Sequence, residues 1–148
     1  MNWKLIVFGG LAMYVVMFAV SMATGPLIHE GILDPIYMEY NDFWRPELRQ
    51  DPPDLGALMP RWISVGLLTT FAMAGIYGAV YKAFEGAAWL KGLKYGIVLS
   101  IFNCCVAAGW SGIFALPDKI WIVWGLESFL YYLPGGALLG WLHSKFLS

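Results

Sequence analysis

Four stretches of roughly twenty apolar residues constrain this chain more than any other feature. They lie at about 3–24, 62–84, 93–116 and 119–143. Leu5 to Met22 carries no charge, the second stretch is uncharged until Lys82, and the third is uncharged from Tyr95 to Leu116. The fourth holds a single acid, Glu127, between Ile120 and Leu142. A helix rising about 1.5 Å per residue crosses about 30 Å of hydrocarbon in about 20 residues. A helix also satisfies its own backbone hydrogen bonds, which lipid cannot do for it. A spanning barrel needs alternating segments of about ten residues in far greater number. The expected fold is therefore all-α and integral to a membrane: four transmembrane helices in an antiparallel bundle, forming one domain.

Composition supports the same reading. Charged residues make up 13% of the chain, about half the share of a soluble domain. The net charge of −1 argues against nucleic acid, which selects strongly basic surfaces. The first stretch has the outline of a signal peptide, with Lys4, an apolar run and Ser21-Met22-Ala23. Its run is too long for that role, so it reads as a membrane helix.

Lysine and arginine placement gives an orientation. Lys4, Lys82, Lys91, Lys94 and Lys145 fall on one side of a four-span chain. The loop of residues 25–61 carries Glu30, Asp34, Glu39, Asp42, Glu47, Asp51 and Asp54 against Arg45, Arg49 and Arg61. The expectation is a bacterial inner-membrane protein with both termini cytoplasmic and this acidic loop outside. Trp3, Trp62, Trp121 and Trp141 sit near segment ends, the level at which indole rings settle. Within the loop, Asp34-Pro35 predicts a helix start. Leu33, Ile36, Tyr37, Tyr40, Phe43 and Trp44 share a face up to Pro46. That pattern predicts an amphipathic helix of about three turns, lying on the membrane surface or capping the bundle.

Small residues recur every fourth position: Gly92, Gly96, Ser100, Cys104, Ala108 and Gly112 in the third segment, and Gly66, Thr70, Ala74 and Gly78 in the second. Gly136, Gly140 and Ser144 repeat the spacing in the fourth. Such seams let helices approach closely, either within one bundle or between copies.

Glu127 is the candidate functional residue. It lies about 12 Å inside its segment, counted from Lys119 at the helical rise. An ionisable group at that depth is a functional hypothesis by default. Depth counting places Thr69, Thr70, Trp110, Ser111 and Tyr14 near it, and Trp124 and Tyr131 share its helix face. These eight residues form the expected ligand-binding set. The competing reading is a polar clamp between helices. No catalytic residue or metal ligand is assigned, and no cofactor is expected. His29 with Glu30, Asp34, Glu39 and Asp42 has the composition of an outer-face metal site, without the spacing of a tight ligand motif. His29 and His143 lie at opposite faces and cannot hold one haem between them. The adjacent Cys104 and Cys105 resemble the membrane cysteine pair of mercury-uptake proteins, but the further cysteines of that family are missing. Buried membrane cysteines otherwise act as small packing residues.

The Met-Asn-Trp start, Phe43-Trp44-Arg45-Pro46, and Lys91-Gly92-Leu93-Lys94-Tyr95-Gly96 resemble small four-helix bacterial inner-membrane proteins. That resemblance covers most of the chain and implies architecture alone. Three functions follow as expectations. The first is a non-enzymatic accessory or assembly subunit, a homo-oligomer or part of a larger membrane complex, using the small-residue seams and the aromatic loop helix as contact surfaces. The second is binding or transport of a lipophilic or proton-coupled small molecule near Glu127. The third is a metal-dependent enzyme at the outer face.

Overall fold

A computed structural model describes residues 2–146. Among these residues every regular element is helical. Four helices are long and apolar enough to cross a membrane: α1, Leu5–Ile32; α3, Leu55–Ala83; α4, Ala88–Ser111; and α5, Asp118–Phe146. The short α2, Asp34–Glu39, lies between the first two.

The long helices outrun the apolar windows that mark them. α1 was expected to stop near residue 24, and the connecting loop was expected to fill 25–61. The helix instead runs on through Pro26 and ends in a π-turn, Ile28–Ile32, closed by Leu33 N–H donating to the Ile28 carbonyl at 2.9 Å. α3 begins seven positions ahead of the expected 62, because Asp54 caps it by accepting from the Ala57 amide at 3.1 Å. Hydropathy reports where a chain stops being apolar. Caps and turn bonds decide where a helix stops, so the true loop is shorter, at 33–54. α4 similarly starts at Ala88, just after Gly86, whose φ of +111° is backbone that L side chains rarely adopt.

The three-turn loop helix is also corrected. α2 spans six residues and is followed by two single 3₁₀ turns, Asn41–Phe43 and Pro46–Leu48. Leu33, rather than Asp34, occupies the N-cap, and no side chain caps the helix. Tyr40 leaves helical geometry, and the following turn packs its aromatic rings instead of extending the helix. Leu33 is nevertheless fully buried, and Ile36, Tyr37, Tyr40 and Trp44 pack beneath the loop, so most of the expected apolar face does turn inward. Phe43 stays exposed.

Glycine seams set the helix contacts. A Cβ on Gly92 would collide with the Gly136 carbonyl oxygen, and one on Gly140 with the Ala88 carbonyl oxygen. Gly96 abuts the Tyr132 carbonyl, and Gly125 faces Cys104. α4 and α5 therefore run past each other in opposite directions with backbones in contact, a proximity only small residues permit. On the other side of α5, Gly9 meets Leu139 and Gly135 meets Met13 of α1. α1 in turn meets α3, with Gly10 on Phe71 and Gly66 on Tyr14. Gly92, Gly96, Gly136 and Gly140 of the expected seams thus meet a helix of this same chain, while Ala108 and Gly112 are exposed.

Two apolar clusters result. Near the chain termini, Leu5, Met13, Ala74, Tyr77, Tyr95 and Leu139 form one. At the loop end, Ile28, Leu33, Ala107, Leu116, Ile120 and Trp121 form the other, roofed by the aromatic residues of α2 and its following turn. The long helices expose large apolar side chains elsewhere, among them Leu68, Phe102, Ile122 and Leu126.

Candidate functional site

The site gathers where the loop end of α1 meets the first half of α5. Side chains on a helix lean toward its N-terminus. Glu127 on α5 therefore leans toward the loop end, while His29, near the C-terminus of α1, leans away from it. The two converge: His29 Nε2 lies 3.2 Å from Glu127 Oε1. His29 belongs to the π-turn, a local widening of the helix that recurs at functional sites.

The pair is unequally exposed. The Glu127 side chain is 3% accessible and the His29 side chain 38%. The acid is sealed inside, and its charge partner reaches the surface. The approach has the length of an ion pair without the alignment of a hydrogen bond, so Oε1 is buried with no hydrogen-bond partner among the described residues. A buried carboxylate oxygen lacking a donor is costly. Tyr131, one turn further along α5, directs its hydroxyl into the field of the same carboxylate.

Behind His29 stands a second layer. Its Nδ1 is 2.9 Å from the Tyr37 hydroxyl, and the two rings are stacked with a 14° interplanar angle. The Trp124 indole N–H donates to that same hydroxyl at 3.0 Å. An indole can only donate, so the Tyr37 oxygen accepts from Trp124 and its own proton is available to Nδ1. In a neutral imidazole this network leaves the proton on Nε2, facing Glu127. The hydrogen-bonded order Trp124, Tyr37, His29 thus holds the imidazole with Nε2 beside the buried acid.

The loop holds Tyr37 in place. The Trp44 indole N–H donates to the Tyr37 carbonyl at 3.1 Å, and its ring meets Tyr37 edge-on at 4.9 Å. Arg49 Nε donates to the Trp44 carbonyl at 2.6 Å. Lys119 Nζ donates to the Ile32 carbonyl at 3.2 Å, tying the end of α1 to the start of α5. Burial raises the Tyr37 hydroxyl pKa above its ordinary value; the Trp124 hydrogen bond opposes that shift and the Glu127 charge adds to it.

Of the expected set, Tyr131 faces the Glu127 carboxylate, while Trp124 connects to it only through Tyr37 and His29. The other five surround different contacts. Thr69, Thr70 and Ser111 donate to carbonyls of their own helices, at Val65, Leu67 and Ala108. Trp110 is exposed and stacks on Phe114, and Tyr14 packs against Gly66. Depth counting failed for these because it ignores azimuth, and because a hydroxyl on a helix finds a carbonyl one turn back without leaving its own backbone. His29 and Tyr37 were missed as partners of Glu127. A usable signal was present: His29 is the one imidazole near the end of the first apolar run.

The outer-face metal arrangement is not assembled. His29 turns inward to Glu127, and among the described residues no three His, Cys, Asp or Glu side chains gather as metal ligands. No protein-family model, curated protein or solved structure matches the chain.

Proposed function

We propose that this is a multi-pass membrane protein, an antiparallel four-helix bundle with both termini cytoplasmic, that takes up and releases a proton at the Glu127–His29 pair. This is the proton-coupled branch of the small-molecule reading. The observation that carries it is the 3.2 Å approach of a partly exposed imidazole to a buried carboxylate oxygen with no hydrogen-bond donor of its own. The imidazole is the acid's route to the surface, and the Trp124–Tyr37 chain orients it to present Nε2. An acid inside a membrane span, linked to the surface by a titratable imidazole, is the arrangement proton relays use.

The accessory-subunit reading drew on the small-residue seams and the aromatic loop helix as free contact surfaces. Both are engaged in large part within the chain, by α4 against α5 and by Tyr37 and Trp44 against Trp124. That favours a working site inside the bundle over a surface built for assembly.

The test uses vesicles containing the protein, a pH-sensitive dye trapped inside, and an imposed pH difference. Wild-type vesicles should lose the difference faster than protein-free ones, and Glu127→Gln vesicles should match the protein-free rate. Equal rates for wild type and Glu127→Gln would reduce the pair to a clamp between α1 and α5.

A further inference from the structure

His29 links Glu127 to the loop end of the bundle. The chain's other imidazole, His143, lies on the same helix as Glu127, sixteen residues and about 24 Å further along. It is 5% exposed. From α3, Tyr77 meets its ring edge-on at 5.4 Å and Tyr81 lies at 4.0 Å. Lys91 of α4 faces it as a charge, and α1 brings the apolar Leu5 to the same cluster. Among the described residues no hydrogen bond holds the His143 ring. A buried imidazole left without a partner is costly where an apolar ring would pack as well.

A column of phenols fills the core between Glu127 and His143. The Tyr131 hydroxyl lies in the field of Glu127, Tyr132 in that of Tyr131, and Tyr95 in that of Tyr132. The Tyr95 and Tyr77 rings then meet at 5.2 Å, and Tyr77 meets His143. Tyr77 and Tyr95 are buried, at places that phenylalanine would fill without burying a hydroxyl. Tyr95 donates to the Met73 carbonyl at 2.9 Å and keeps lone pairs to accept with. A phenol donates and accepts, so it can take a proton on its oxygen and give up its own, with no charge left behind.

We infer that His143 is the second port of the proton site: it exchanges the Glu127 proton, carried through the phenols, with water at the end where α1 begins and α5 finishes. One ring nitrogen takes the arriving proton and the other releases one to water. The ring is left neutral in its other tautomer, which a further exchange with water resets. This inference rests on the proton exchange proposed above, and it makes the Glu127–His29 pair one half of a path across the membrane.

Proton flux into the dye-loaded vesicles, driven by a potassium diffusion potential at equal pH on both sides, tests the port. His143→Gln should slow flux about a hundredfold, the lower end of what one positioned proton-transfer group supplies. His143→Glu restores a titrating group of another shape. Its flux should return, with the pH dependence moved toward acid by up to about 2 units, the gap between the two ordinary pKa values. A packing role would move neither. Tyr77→Phe keeps the ring and should slow flux about tenfold, which keeps the question answerable if the His143 variants do not fold. Wild-type flux in His143→Gln, a His143→Glu protein as slow as His143→Gln, or unchanged flux in Tyr77→Phe would overturn the inference. Glu127→Gln separates the two readings. A slow Glu127→Gln beside a fast His143→Gln sinks the port alone, whereas wild-type vesicles no faster than protein-free ones sink the exchange at Glu127 and the port with it.

Discussion

His29 Nε2 and Glu127 Oε1, from the first and last long helices, lie 3.2 Å apart beneath an aromatic roof. Their contact ties the π-turn of α1 to the middle of α5.

Removing both members should harm the fold less than the two single losses added together. Breaking a fully buried pair costs about 3–5 kcal/mol, and the exposure of His29 reduces that, so about 1–3 kcal/mol is expected for His29→Ala. Glu127→Gln, which keeps shape and discards charge, should cost about 1 kcal/mol. The double variant should be less destabilised than the sum of the two. Reversible unfolding of the four proteins in mixed micelles measures the coupling; strict additivity would mean the two groups do not interact.

Tyr37→Phe removes the hydroxyl that joins His29 to Trp124 and leaves the indole N–H without its acceptor. The expected loss is about 1–3 kcal/mol. The ring stack on His29 should survive, since it needs no oxygen. Unfolding midpoints check the first statement, and unchanged stability would show that the hydrogen bonds do not hold the loop.

Alkaline pH should loosen the loop. The Tyr37 hydroxyl has a raised pKa, chiefly through burial, so the folded state binds its proton more tightly than the unfolded state does. Its stability contribution is whole below about pH 10, the ordinary tyrosine value, and is lost as pH rises through the folded value. Comparing wild type with Tyr37→Phe above pH 10 isolates this group among the other tyrosines. Identical alkaline profiles would remove Tyr37 as the titrating group.

Glycine positions should divide sharply. Gly92→Ala and Gly140→Ala press a methyl group onto backbone of the facing helix and should destabilise the α4–α5 pair by at least ~1–3 kcal/mol. Gly109→Ala meets nothing within 4 Å and should be neutral or stabilising by up to about 1 kcal/mol, because alanine restrains the unfolded chain. Finding Gly92→Ala as benign as Gly109→Ala would refute the close packing.

Orientation has a direct check. A cysteine placed at Asp51, in the exposed loop, should react with a membrane-impermeant maleimide in intact cells, and one placed at Lys82 should react only after lysis. The reverse pattern would invert the topology.

Glu127 and the four apolar runs were legible from the residues alone. Lipid-crossing helices announce themselves by length and absence of charge, and an acid inside one is conspicuous because its burial is costly. The glycine spacing was legible too, as a statement that helices pack closely. Which helices meet at each seam was not: Gly92 fits any small-residue partner, and its pairing with Gly136 depends on where α5 lies in three dimensions. The partners of Glu127 were equally hidden. His29 lies five residues beyond the expected end of the first segment at about 24, so it was assigned to the loop. The helix runs on through Pro26 into a π-turn at Ile28–Ile32, and that continuation brings the imidazole to the carboxylate. The sequence by itself determined four crossing-length helices and one misplaced acid, since both follow from transfer of groups out of water. The tertiary structure decided that this acid meets a histidine oriented by Tyr37 and Trp124, since azimuth, side-chain lean and loop closure are properties of the packed chain.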